Sequence, residues 1–155
     1  MTDPEKIHFK TGLKQFALDL IGQRISAAKE AIGQAQDAAN QEEKSSAGDK
    51  YETGRAMGHL QKDMYSRQLA EHAKELATLH SIQVDVIYPT PTAGAYVECP
   101  GISFFIAAGL GKQIKDGLTI YFLSPQAPLT SQLAGKKAGE IIRFNSTNLP
   151  ILTVY

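Results

Sequence analysis

LDLIGQRISAAKEAIGQAQDAA, residues 18–39, decides the fold. Leu18, Ile21, Ile25, Ala28, Ile32, Ala35 and Ala39 recur at alternating steps of three and four. That spacing lays a narrow apolar stripe along one side of an α-helix. No proline falls between Lys10 and Asn40, and alanine and straight-chain residues dominate, so the spacing predicts one helix over about 10–40. A stripe this narrow needs a second helix against it. Its residues shrink toward Ala39, which lets the partner come close at that end.

The partner is expected over about Tyr51–His80. Met57, Leu60 and Met64 open an apolar seam there, and Tyr65, Leu69, Ala73, Leu76 and Leu79 continue it one residue out of phase. The polar stretch Gln41–Lys50, with Gly48 inside it, reads as the turn of an αα-hairpin. A 30-residue helix is about 45 Å long. Much of the hairpin is therefore expected to project and to show polar sides to solvent.

From Ile82 the texture changes. Residues 1–82 hold 23 of the charged side chains and 4 aromatics, whereas 83–155 hold 9 charged side chains and 8 aromatics. The shift predicts two modules, 1–82 and 83–155. Runs rich in β-branched and aromatic residues lie at 84–88, 95–98, 103–107, 118–123, 140–144 and 150–155, mostly separated by Gly, Pro, Asn or Ser. A short helix is expected from Pro128 to Ala134, before Gly135. The fold class is thus α+β, a helical hairpin followed by a small antiparallel sheet that packs one helix.

Composition closes several routes to function. With 16 basic and 16 acidic side chains the net charge is zero, so no overall basic surface argues for direct binding to a nucleic-acid duplex. No apolar run reaches the roughly 20 residues that span a bilayer. Met1-Thr2-Asp3-Pro4-Glu5-Lys6 does not read as a secretory leader. With a single cysteine, Cys99, the expected location is the cytoplasm. The four histidines are scattered, and only His59 and Asp63 share a helical face, too few ligands for a metal site. Cys99 has no evident histidine partner and reads as an inert thiol. Gly109-Leu110-Gly111-Lys112 reads as a turn, not a phosphate loop.

The chemistry gathers at the hairpin turn. Asp49 and Glu52 stand at i and i+3 where the second helix begins, with Glu42 and Glu43 across the turn. One reading is a capping box that satisfies two orphan backbone donors. The other is a projecting tip that delivers hard oxygen ligands for Mg²⁺ to another protein's site.

Three stretches in order resemble the Gre family of bacterial transcript cleavage factors (GreA/GreB). Gly48-Asp49-Lys50-Tyr51-Glu52 resembles the family's Gly-Asp-Leu-Ser-Glu tip motif. Leu123-Ser124-Pro125-Gln126-Ala127-Pro128-Leu129, followed by Leu133-Ala134-Gly135-Lys136-Lys137-Ala138-Gly139-Glu140, resembles its C-terminal signature. A final Ile- and Val-rich strand over 150–155 completes the match. The resemblance implies a coiled-coil hairpin over 1–82 with an acidic tip and an FKBP-like domain over 83–155. It implies an elongation factor in the secondary channel of bacterial RNA polymerase. There Asp49 and Glu52 would help hold a second Mg²⁺ and so stimulate cleavage of backtracked RNA, and Ser124, Pro125, Gly135 and Lys136 would serve polymerase binding. Such a protein is no enzyme itself, has no cofactor of its own and no metal when isolated. It meets nascent RNA only inside the channel, has no membrane partner, and is expected to be a monomer.

The tip departs from the family pattern. Lys50 lies inside the acidic pair, and Glu52 is followed by Thr53-Gly54-Arg55-Ala56 instead of Asn-x-Glu-Tyr. Two alternatives therefore stay open, a channel-binding regulator without cleavage activity and a coiled-coil adaptor that uses its hairpin as an interaction stalk.

Overall fold

The computed structural model describes residues 1–43 and 48–155, and side chains outside 42–52. Two long helices come first, α1 (Asp3–Glu43) and α2 (Gly48–Ser81). Then follow β1 (Tyr96–Glu98), β2 (Ser103–Ile106), β3 (Gly111–Lys115), β4 (Leu118–Leu123), α3 (Pro128–Leu133), β5 (Ile141–Phe144), β6 (Thr147–Pro150) and β7 (Thr153–Val154). The fold is α+β. By contacts the chain divides into two compact units, one made of 1–18 and 77–155, the other of 19–76.

The first helix starts earlier than its stripe predicts. The Thr2 backbone N–H donates to Glu5 Oε2 at 3.1 Å, and the Glu5 N–H donates to Thr2 Oγ1 at 3.3 Å. This reciprocal capping box satisfies two orphan donors, and Pro4 in the first turn forfeits no hydrogen bond. The signal Thr-x-x-Glu was present in the sequence and lay outside the apolar stripe.

Within residues 19–76 the helices run antiparallel, with Ala39 beside Gly58 and Gln36 Oε1 accepting from Lys62 Nζ at 2.9 Å. Ile21, Ala28, Ala35 and Ala39 are buried along the predicted stripe. The second seam is corrected: Met57, Leu60 and Met64 are 56%, 69% and 46% exposed. Gly58 explains the rotation. A Cβ there would lie 2.9 Å from the Ala39 Cβ, so the helices touch through a position that an apolar count ignores. Gly58→Val is expected to cost about 1–3 kcal/mol through overpacking, and Ala39→Gly in the same chain should recover part of it, as thermal unfolding would show.

Residues 1–18 and 77–155 build the sheet unit. Five strands take the order β3-β4-β2-β1-β7, and β5 and β6 form a separate ribbon. The sheet is antiparallel except that β2 and β4 are parallel, which corrects the all-antiparallel expectation. The cause is a two-residue turn. Asp116 and Gly117 both have positive φ (52° and 76°), the signature of a type I′ hairpin, so β3 and β4 pair and place β4 beside β2. Asn145 and Ser146 (49° and 63°) close β5 onto β6 in the same way.

Strand alternation separates two cores. Tyr96, Phe105 and Phe122 form one cross-strand row and meet α1, with Phe9 at 4.9 Å from Tyr96 and Phe16 at 5.6 Å from Phe122 between ring centroids. Val97, Phe104 and Tyr121 form the neighbouring row on the other face, where Phe104 and Tyr121 meet Phe144 of β5 at 5.3 and 5.2 Å. Leu133 of α3, Ile142 and Ile151 fill the same core. The central strands are therefore apolar on both faces, which is why they read as continuous runs.

The run 84–88 is not a strand. Lys10 is fully buried and takes its backbone partners: Nζ donates to Val86 O at 2.6 Å and to Gly94 O at 3.1 Å, and sits 4.7 Å from the Tyr88 ring centroid. Burial pushes the Lys10 ammonium down to about 8, and the Asp85 charge opposes this. Nearby, Lys14 Nζ donates to the carbonyl of Ile82 at 2.8 Å, just past the end of α2.

Lys10 gives stability an alkaline signature. Between about pH 8 and 10.5 the unfolded chain keeps a proton that the folded chain has lost, so stability rises with pH across that window. Cys99, pushed by burial up to about 11, and Tyr96 and Tyr155, also raised by burial, act oppositely. Their contributions are complete below their unfolded values and are lost as pH climbs through the folded ones. The thermal midpoint is expected to rise from pH 8 to 9 and to fall above 10, and Lys10→Met should remove the rise.

Candidate functional site

Asp49 and Glu52 lie in the first turn of α2, three residues apart and so on one side of the helix. Their side chains, and that of Lys50, lie outside the described residues, as do residues 44–47. A helix N-terminus favours acidic side chains in its first turn through the unpaired N–H groups and the helix dipole. Arg55 follows one turn later and is exposed. Two carboxylates are fewer ligands than the six oxygens Mg²⁺ takes, so a complete site needs donors from elsewhere.

The second group surrounds α3. The Ser124 Oγ donates to Gln126 Oε1 at 2.9 Å and accepts from the Gln126 N–H at 3.2 Å. Thr130 Oγ1 donates to the Ser124 carbonyl at 2.7 Å, which ties the loop before α3 to the helix itself. Pro125 is half-buried beside Ser124, and Pro128 opens the helix. After the helix, Gly135 adopts a left-handed φ of 78° that favours glycine, and the Lys136 N–H donates to Leu133 O at 3.1 Å. Glu140 then closes the turn by accepting from the Lys137 N–H at 2.7 Å. Leu133 is fully buried, so α3 anchors both loops to the core. Ser124, Pro125, Gly135 and Lys136 thus belong to one loop–helix–loop segment. Lys136 is half-buried, whereas Lys137 is exposed.

Other expected groups play structural parts. Cys99 is buried in the core with Phe104 and Leu133, where a raised thiol is a poor nucleophile. Gly111 and Lys112 are the first residues of β3, not part of a turn; the strand sits at a sheet edge, and its Gly-Lys-Gln-Ile-Lys sequence carries little apolar signal. His59 is exposed on α2.

One feature escaped sequence reading. Along the hairpin, Ala27, Ala28, Ala31, Ala35 and Ala38 floor a groove whose α2 side is Gln61, Tyr65, Gln68 and His72. Arg24 stands at one end. His72 lines the same part of the groove, and among the described residues its Nδ1 and the Oε2 of Glu75 are buried without hydrogen-bond partners. The alanines at 27, 31 and 38 lie beside the predicted stripe and could have shown a second small-residue face.

No family model, curated protein or solved structure matches the chain. Among the described residues, no helix is long and apolar enough to cross a membrane.

Proposed function

We propose that this protein is a Gre-like elongation factor that enters the secondary channel of bacterial RNA polymerase and stimulates cleavage of backtracked RNA. In this reading the hairpin is a coiled coil, the sheet unit is an FKBP-like docking domain, and the protein is an accessory factor without catalysis of its own. Asp49 and Glu52 supply oxygen ligands to a second Mg²⁺ in the polymerase site, where two metals stabilise the attacking and leaving oxygens of phosphoryl hydrolysis. Ser124, Pro125, Gly135 and Lys136 serve docking.

The observation that carries the reading is the placement of Asp49 and Glu52 in the opening turn of a 34-residue helix that runs antiparallel to the 41-residue α1 within residues 19–76. A slender two-helix element with paired acids at one end suits a narrow channel. The loop–helix–loop around α3 adds a second, rigid element whose sequence resembles the family signature. The test is a pull-down with core polymerase followed by transcript cleavage in a backtracked complex. Binding with accelerated shortening of the RNA is expected, and failure to bind overturns the reading. Lys50 and Arg55 at the tip favour a second reading, a channel-bound regulator without cleavage. It predicts binding and slowed synthesis with no shortening.

A further inference from the structure

We propose that the hairpin pairs with a second copy of this chain, face to face about a twofold axis parallel to the helices, in place of the expected monomer. The inference rests on residues 19–76 alone and is independent of the polymerase reading.

A two-helix hairpin needs one apolar seam, and this one has more. Met57, Leu60 and Met64 are exposed on α2 and lie one helical turn apart, and one turn likewise separates Met57 from Gln61 and Met64 from Gln61 and Gln68 on the wall of the alanine groove. Large flexible side chains and a small-residue floor therefore occupy the same side of the hairpin. Between Ala27 and Ala38 and between Met57 and Gln68, Lys29, Asp37, Lys62 and Asp63 project elsewhere, and the two remaining charges, Glu30 and Arg67, stand at the edges of that side. Knobs and holes together make a self-complementary patch, which is what an isologous interface requires.

The charges at its edges select the partner and its direction. Ala39 lies level with Gly58, and Gln36 with Lys62, so α1 and α2 residues at one level have numbers that sum to about 97. A twofold axis parallel to the hairpin preserves level and sets α1 of one copy opposite α2 of the other. Met64 then faces the groove near Ala31, and Leu60 faces Ala38. At the rim, Glu30 of one copy meets Arg67 of the other, twice. Toward the other end of the groove, Arg24 comes opposite Glu71 and Glu75. An antiparallel arrangement would break all of these pairs.

The patch is about 21 Å long and roughly two helices wide, so it buries on the order of 800–1,200 Å² in total. That is the low end of stable interfaces. The dimer is accordingly expected to form reversibly in the micromolar range.

Sedimentation equilibrium of the full chain tests this. The expected result is a monomer–dimer equilibrium between 16.8 kDa and twice that mass. Leu60→Lys, at an exposed position, should leave the helical circular dichroism unchanged and shift the equilibrium to monomer. Arg67→Glu should weaken association by about 10-fold at low salt, and adding Glu30→Arg should restore it. A wild-type protein that stays monomeric up to ~0.5 mM overturns the proposal. So does a dimer that survives Leu60→Lys, or a charge reversal that the second reversal fails to rescue.

Discussion

Lys10→Ala is expected to lower the unfolding free energy by about 3 kcal/mol, a fall of roughly 6–12 °C in thermal midpoint. Three effects add up. The variant removes two ammonium hydrogen bonds, to the part-buried Val86 O and the buried Gly94 O, and takes the donor from the latter where water reaches least. It deletes a four-carbon stem that packs at zero exposure. It also ends the contact of the cation with the Tyr88 ring. One effect opposes them: the buried ammonium itself is unfavourable, as its lowered proton affinity shows. Lys10→Met separates the contributions, because it keeps the stem and drops the donors. It should cost about half as much. If alanine and methionine cost the same, the stem contributes nothing, and if neither moves the midpoint, the 83–95 loop is held by other contacts.

The Asp49→Ala, Glu52→Ala double variant is expected to bind core polymerase normally and to lose about 10²-fold in its stimulation of transcript cleavage. In the proposed role the pair acts as a unit on one ion, so each single variant should cost nearly as much as both. Because the two positions lie in the first turn of a helix, the substitution also removes favourable charge at its N-terminus, worth about 0.3–1 kcal/mol per side chain. Asp49→Asn with Glu52→Gln controls for this, since both amides keep the shape of the acids without ionising. Cleavage that is lost in both variants while binding survives assigns the pair to the metal. Unchanged cleavage removes that role and leaves a structural one.

The sequence was most legible where one periodicity had one cause. Ala28, Ala35 and Ala39 are buried as their spacing implies, because a helix in contact with another along its length buries every third or fourth residue. Met57, Leu60 and Met64 misled, since hydrophobicity cannot tell which of two faces meets the neighbour, and a glycine decided it. In the sheet, the doubly buried strands β2 and β4 stood out as apolar runs. The edge strand β3 did not, because edges carry lysines. The strongest short signal for it, Asp116-Gly117 before the Leu118 run, lay in the connection and not in the strand. Val84–Tyr88 had the composition of a strand, and a lysine 76 residues away from Val86 claims that segment instead. Such a pairing has no local trace. Of the candidate site, the positions around α3 came from the resemblance to a C-terminal signature, whereas the hairpin groove consists of alanines, which a search for reactive side chains passes over.

The sheet unit is made of two pieces of chain, 1–18 and 77–155, with the hairpin inserted between them. Its closing strand β7 pairs with β1, and Tyr155 and Tyr96 exchange two backbone hydrogen bonds. Phe9 and Phe16 therefore leave the ribosome long before the rings they cover exist. The two helices of the inserted stretch have local backbone hydrogen bonds, and their pairing shortens the loop that must be closed to bring residue 18 back to residue 77. Synthesis thus proceeds with the inserted element as a splint. A chain that begins at residue 83 would form its strands with Tyr96, Phe105 and Phe122 facing water, and it would be sticky where the whole protein is dry.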